Sequence, residues 1–278
     1  MMKKVPTKKR GRGRPKSARA ADSGVKTVQV AARILDALAE FPEPVRVTDL
    51  AKKLDMTLPT VSRHVATWRA LGFIEKAEPH ETYRLGTKLF SLGQAANEQN
   101  SHVNIAYPHL IELRDRIHET TMLCSRVQDQ ATALLCLNSN LPTTIMVRPG
   151  ALFYLPHSVT ARVLWAFASS DDARARLKQA KIDFSPEPRM SKKSFAERIS
   201  RIRKDYYEFD PNVANRGLGA ISCPIIERNY TVETAITVIF PARSSRKTLD
   251  MSLLDEIRNC AIKISRILGA NSWGDEKL

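Results

Sequence analysis

Cysteine is sparse in this sequence and never closely spaced: Cys124, Cys136, Cys223 and Cys260 stand far apart, with no C-x-x-C pair. That excludes a disulfide framework or a cysteine-built zinc site and leaves buried, reduced thiols as the expectation. The six histidines form no H-x-x-x-H spacing, so no metal site is read from them. No apolar run is long enough to span a bilayer, and the amino terminus lacks the apolar segment of a secretion signal. The expectation is a cytoplasmic chain with no membrane partner. G-x-S-x-G, a Walker loop and a dinucleotide fingerprint are also missing, so neither a cofactor nor an enzyme is expected. The one catalytic arrangement to weigh is Cys223 as nucleophile, His157 as base and Asp210 as orienting acid. Against it, Cys223 lies in the apolar run Ile221-Ser-Cys-Pro-Ile225, the setting of an inert thiol.

Negative charge is missing where positive charge is densest. Nine lysines and arginines precede the first acid, Asp22, and contribute much of the net charge of +15. Such an arm points to nucleic acid or an anionic surface. Residues 1–24 carry few apolar side chains and should be disordered when free. Within them, Arg12-Gly13-Arg14-Pro15-Lys16 resembles the core of an AT-hook, whose extended Arg-Gly-Arg backbone lies in a narrow A·T minor groove. A nonspecific polybasic tail holding phosphates is the alternative, and the residues do not separate the two.

The stretch from Val47 to Phe73, VTDLAKKLDMTLPTVSRHVATWRALGF, reads as two helices parted by Asp55-Met56-Thr57. In the second, Val61, Val65, Trp68 and Leu71 recur with helical period and form an apolar back. Pro59, Thr60, Ser62, Arg63 and Thr67 are left for the front. Short hydroxyls, one Arg and no acid suit the DNA major groove, where Arg pairs with guanine and hydroxyls serve base or phosphate. This is a helix-turn-helix pattern. An amphipathic helix from Thr27 to about Glu40 precedes it, with Val28, Ala31, Ala32, Leu35 and Leu38 expected on one face. Phe41-Pro42-Glu43-Pro44 ends that helix. Thr48 and Thr57 are the expected N-caps of the two helices, and Pro59 falls in a first turn, where its missing amide costs little. Gly72 sits at the expected C′ position. Two short strands, Phe73–Ala77 and Thr82–Leu85, then make a wing, with Lys76 and Arg84 as its phosphate contacts.

Together, Thr-Asp-Leu-Ala-Lys-Lys-Leu, Thr-Val-Ser-Arg-His-Val, Leu-Gly-Phe-Ile-Glu and Tyr-Arg-Leu-Gly-Thr-Lys-Leu resemble the amino-terminal domain of IclR-type transcriptional regulators. The resemblance continues through Arg148-Pro149-Gly150, His157–Ala166, the Ile202–Ile225 region and Ala235–Ile239, so it spans about Thr27 to Leu268. It implies an α+β chain: a winged helix-turn-helix domain (25–86), a linker helix (87–100) and a GAF-like α/β effector-binding domain (101–272). Leu89, Leu92 and Ala96 would give the linker an apolar stripe for a second subunit. In the second half the sequence itself suggests helices at Val103–Glu119, Val159–Ala168, Asp171–Ala180, Ser194–Lys204 and Leu249–Leu268. Strands are expected at Thr121–Val127, Thr132–Leu137, Thr144–Arg148, Ala220–Ile226 and Glu233–Phe240.

The family resemblance places an effector above the sheet, against Thr160, Ala161, Asp210, Ala220 and Thr237, with His157 and Arg162 nearby in sequence. Ala161 and Ala220 can equally be close-packed core, and Asp210 a turn former. Arg148 and Arg162 can each pair bidentately with a carboxylate, so a small organic acid is the expected effector, although Arg148 can also belong to the surface. The chain departs from the family at Pro59 and His64 in the reading helix, at Arg162 (usually lysine), and at Asn212-Val213 (usually acids). The expected function is sequence-specific regulation of transcription, by a homodimer or a dimer of dimers on a pseudo-palindromic double-stranded operator. An architectural DNA binder with a ligand-insensitive second domain is the alternative.

Overall fold

The computed structural model describes residues 25–78, 81–99, 101–127, 130–168, 182, 190–213, 217–228, 230–242, 248–274 and 276–277. The basic arm with Arg12 and Arg14, and the helix expected at 171–180, lie outside them. The chain divides into two compact units, residues 1–95 and 96–278.

In the first unit, α1 (Lys26–Ala39), α2 (Val47–Leu54) and α3 (Leu58–Ala70) pack around Ile34, Leu38, Leu50, Val61 and Val65, all buried. Strands β1 (Val45–Arg46), β2 (Ile74–Ala77) and β3 (Thr82–Leu85) form an antiparallel sheet in the order β1-β3-β2. The face of α1 differs from expectation. Val28 and Ala32 are exposed, and the buried line is Ile34, Ala37 and Leu38, with Val30 packed beside it. The two lines lie about a third of a turn apart and share Leu38, and which one turned inward was set by α2 and α3. Leu71, placed in the apolar back of α3, is also exposed, because the helix stops at Ala70 and the chain turns away. That turn is made at Gly72, with φ +80°, and is closed by Gly72 N–H to Arg69 O (3.0 Å) and Phe73 N–H to Trp68 O (2.9 Å), a Schellman motif.

Helix α4 (Thr87–Glu98) leaves the wing through Gly86, where a Cβ would lie 2.4 Å from the Gly72 carbonyl oxygen, so only glycine fits. Its first turn is held by Glu75 Oε1, which accepts from Thr87 N–H at 2.8 Å and Thr87 Oγ1 at 3.0 Å. Phe90 and Leu92 on this helix are exposed.

The second unit is built on a six-stranded antiparallel sheet: β4 (Thr120–Val127), β5 (Gln130–Leu137), β6 (Leu152–Tyr154), β7 (Glu208–Asp210), β8 (Leu218–Ile225) and β9 (Thr234–Pro241), in the order β6-β5-β4-β9-β8-β7. Alternation along β8 and β9 divides the side chains between two faces. Ile221, Cys223, Ile225, Ile236 and Val238 share the face covered by α5 (Ser101–Ile117) and α8 (Met251–Ile267). Ala220, Ser222 and Thr237 share the face that meets α6 (Val159–Ala166). Helix α7 (Lys192–Asp205) packs on α6. A short hairpin, β10 (Ser272–Trp273) with β11 (Glu276–Lys277), ends the chain. The strand expected at Thr144–Arg148 is a loop. Its backbone is pinned by side chains instead, with Thr120 Oγ1 donating to Ile145 O (2.7 Å) and Val147 N–H to Asn138 Oδ1 (3.3 Å). The short edge strands β6 and β7 were not expected.

Candidate DNA-reading helix and effector face

Helix α3 is held rigidly by its back and left open at its front. Val61 and Val65 are buried, Trp68 Nε1 donates to Ala31 O on α1 at 3.0 Å, and the Trp68 ring lies 4.8 Å from Phe73. Pro59, Ser62, Arg63 and Thr67 are exposed, and Thr60 is half-buried. Thr57 is the N-cap residue, but its hydroxyl does not cap a backbone amide. It meets Thr60 Oγ1 at 2.8 Å. Thr67 Oγ1 donates back to Arg63 O at 3.0 Å, leaving its lone pairs outward. The Arg63 guanidinium has no ion-pair partner among the described residues, and no acid lies within α3. Thr48 is not an N-cap. Strand β1 runs directly into α2, Arg46 takes the cap position, and Thr48 stands exposed in the first turn. Asp55, in the left-handed region at φ 53°, makes the turn between the two helices.

The wing cations are less free than their sequence suggests. Lys76 Nζ lies 3.1 Å from Glu81 Oε1, and Arg84 lies 3.5 Å from Glu75 Oε2. Glu81 holds the Lys76 ammonium above its usual range, and Thr87 and Arg84 hold the Glu75 carboxyl below its own. Both pairs are solvent-exposed, so a phosphate can compete for the cations.

At the other site, α6 is buried along its whole length, and Ser158 caps it by accepting from Ala161 N–H at 3.1 Å. Thr160 Oγ1 meets Thr237 Oγ1 at 2.8 Å, Thr237 Oγ1 donates to Ser222 Oγ at 2.9 Å, and Ser222 Oγ donates to Ile236 O at 3.1 Å. A chain of hydroxyls therefore crosses the sheet beneath the start of the helix. Ala161 and Ala220 are buried beside it. His157 Nε2 is buried without a hydrogen-bond partner among the described residues. With Ala161 N–H taken by Ser158 Oγ and Arg162 N–H by Ser158 O, the buried amides of Val159 and Thr160 are the unspent donors of that turn among the described residues.

Arg162 overturns the expected clamp. Its side chain is fully buried, donates to Pro156 O (2.8 Å) and His157 O (3.0 Å), and pairs with Glu208 (2.9 Å) and Asp210 (3.5 Å). Arg198 on α7 closes the group, 2.7 Å from Glu208 and 3.8 Å from Asp210. Burial works against the Arg162 charge, and Glu208 is the main group restoring it. The guanidinium is thus spent on the protein's own carboxylates, and Asp210 serves it while also accepting from Asn212 N–H at 3.1 Å. Arg148 is exposed on the β5–β6 loop and joins no ion pair among the described residues. Arg162 is therefore not the free carboxylate clamp that the sequence suggested, and Arg148 takes no part in its group. Glu208 and Arg198 were missed. The available signal was an acid at Glu208 between the aromatic Tyr207 and Phe209, which calls for a buried cation.

The imagined catalytic group is split. Cys223 faces α8, with its thiol pushed up to about 12 by burial, whereas Asp210 pairs in register with Ala220 on the α6 side. Burial likewise raises the thiols of Cys124, Cys136 and Cys260.

The IclR helix-turn-helix domain matches residues 27–78, and the bacterial transcriptional regulator IclR C-terminal domain matches residues 95–266. The chain belongs to the IclR family. It is a DNA-binding transcriptional regulator with an α+β fold. The Escherichia coli K12 repressor YiaJ is 24% identical over 243 residues, covering 85% of each chain. The regulator KdgR of the same organism is 24% identical over 241 residues, covering 86% of this chain and 91% of its own. Among solved structures, an IclR homologue from Microbacterium hydrocarbonoxydans complexed with 4-hydroxybenzoate superposes with a TM-score of 0.68 at 17% identity, covering 87% of this chain and 98% of its own. In this IclR regulator, α3 and the α6 face are thus the two sites to explain. Among the described residues, no helix is long and apolar enough to cross a membrane.

Proposed function

We propose that this IclR regulator binds a small carboxylate-bearing effector on the α6 face of its sheet and, in response, changes the affinity of α3 for a pseudo-palindromic operator in the cytoplasm. The observation that carries the effector reading is the set of buried polar groups at the start of α6 with no partner among the described residues: the Val159 and Thr160 amide donors, with His157 Nε2 just before them. Donors at a helix N-terminus favour an anion. The Thr160–Thr237–Ser222 chain would orient a hydroxyl or the second carboxylate oxygen. Arg162, Glu208, Asp210 and Arg198 act as a brace that fixes the α6 turn from behind. The homologue bound to 4-hydroxybenzoate, an aromatic acid, supports the same ligand class.

For DNA, Arg63 is the base-reading residue, because its guanidinium is exposed and has no ion-pair partner among the described residues, while α3 is locked from behind. Ser62, Thr57, Thr60 and Thr67 supply hydroxyls, Pro59 sets the first turn, and Thr48 stands ready for a phosphate. Lys76 and Arg84 reach phosphates by exchanging partners. Arg12 and Arg14 add backbone or minor-groove contacts. Pairing of two copies through α4, where Phe90 and Leu92 are exposed, would set two reading helices one DNA turn or a multiple apart. The test combines calorimetric titration with aliphatic and aromatic acids and their neutral amides, and mobility shifts on the gene's upstream DNA. Acids should bind and move operator affinity; amides should not. Binding of amides but not acids would refute the carboxylate reading, and absence of any operator preference would refute the regulatory one.

A further inference from the structure

A second polar cluster lies in the effector unit at the hairpin between β8 and β9. His102, the second residue of α5, places Nε2 3.1 Å from Glu227 Oε1, and Glu233 joins them, with one ligating atom of each residue within 4.8 Å of the others. Glu227 and Glu233 flank the hairpin loop on its two sides. The loop is closed by Glu227 N–H to Thr231 O and Tyr230 N–H to Glu227 O, both 2.9 Å. Glu233 is anchored through its carbonyl, which accepts from Ser125 Oγ at 3.2 Å and Arg126 N–H at 3.3 Å. Two of the three side chains therefore stand on one hairpin, and the third is brought to it by α5.

An imidazole paired with one carboxylate explains His102 and Glu227. Glu233 adds a second carboxylate beside Glu227, a like charge that a bound cation would balance. Arg228, the neighbouring cation in sequence, lies instead against Gly269. One imidazole nitrogen and two carboxylates are a donor set for a divalent first-row transition ion. Around zinc, ligand atoms about 2 Å from the metal stand about 3.4 Å apart, close to the His102–Glu227 separation. A small rotation of the exposed Glu233 side chain would complete a three-residue set with an open position for water.

We propose that His102, Glu227 and Glu233 bind a divalent transition-metal ion of the zinc class. The ion ties the start of α5 to the hairpin whose strands carry Ser222 and Thr237. This site is separate from the effector face and does not depend on the effector reading.

The experiment uses the full chain, free of affinity tag and stripped with chelator, titrated with Zn2+ alone by calorimetry and checked by elemental analysis after dialysis. One ion per chain should bind saturably. His102→Gln and Glu233→Gln should each weaken it by at least about tenfold, the lower end of what losing even an outer-shell partner costs. Zn2+ should raise the thermal midpoint of the wild type and raise that of Glu233→Gln by less at the same zinc concentration; since Glu233 is exposed, that variant folds. Co2+ in place of zinc should give visible d–d bands without thiolate charge transfer, which excludes the cysteines as ligands. Absence of saturable binding, or full binding retained in either variant, overturns the proposal.

Discussion

Replacing Glu208 by glutamine tests the brace behind α6 most directly. Glu208 is 2% exposed and accepts from two arginines, one of them fully buried. Removing one partner of such a pair strands the other charge, at about 3–5 kcal/mol. Glutamine keeps one acceptor oxygen, and Arg162 keeps the Pro156 and His157 carbonyls and the longer contact to Asp210, so the low end, about 3 kcal/mol, is expected. For a unit of this size, about 2–4 °C is lost per kcal/mol, so the effector unit's midpoint should fall by about 6–12 °C in scanning calorimetry. Arg198→Gln removes a partner that is 29% exposed and partly screened, and should cost about 1 kcal/mol or less. Arg162→Met combined with Glu208→Leu removes both charges and should cost less than Glu208→Gln alone. A midpoint change under about 2 °C for Glu208→Gln, or a double variant worse than the single, would refute the assignment of Glu208 as the counter-charge of a desolvated arginine.

Arg63→Ala should cost about 1–3 kcal/mol of operator affinity and relax discrimination at one base pair, read by competition binding; uniform weakening on all sequences would make Arg63 a phosphate contact. Deleting residues 1–22 should weaken binding and flatten the salt dependence of log K, and an unchanged slope would mean that those cations do not touch DNA. The Glu75 carboxyl is held below its ordinary value of 4.5 by the Thr87 amide, so its contribution to anchoring α4 is full above 4.5 and lost as pH falls through the lower folded value. The midpoint gap between wild type and Glu75→Gln should therefore close on acidification, and a gap that widens would contradict the assignment. With Cys223 and Cys260 both pushed up to about 12 by burial, thiol reagents at neutral pH should label them only on unfolding, as mass spectrometry of the labelled peptides would show.

The sequence alone determined what local period, punctuation and charge can determine. The α2–α3 pair, Pro59 in the first turn of α3, Gly72 past its end and the two wing strands follow from backbone preferences that need no partner. The open front of α3 followed from its apolar back at Val61 and Val65, since one face implies the other. Tertiary structure alone decided which residues meet across long separations. Nothing near Arg162 in the chain announces that Glu208 and Arg198 will consume its charge, and only the sheet order puts β7 beside β8 and α7 against α6. The same holds for α1, where Ile34 and Ala37 rather than Val28 and Ala32 turned inward. Cys223 likewise faces away from Asp210 because neighbouring residues on a strand point to opposite sides. Ion pairing and facing are properties of a packed whole, where desolvation gives a charge its strength, and a one-dimensional pattern carries no record of them.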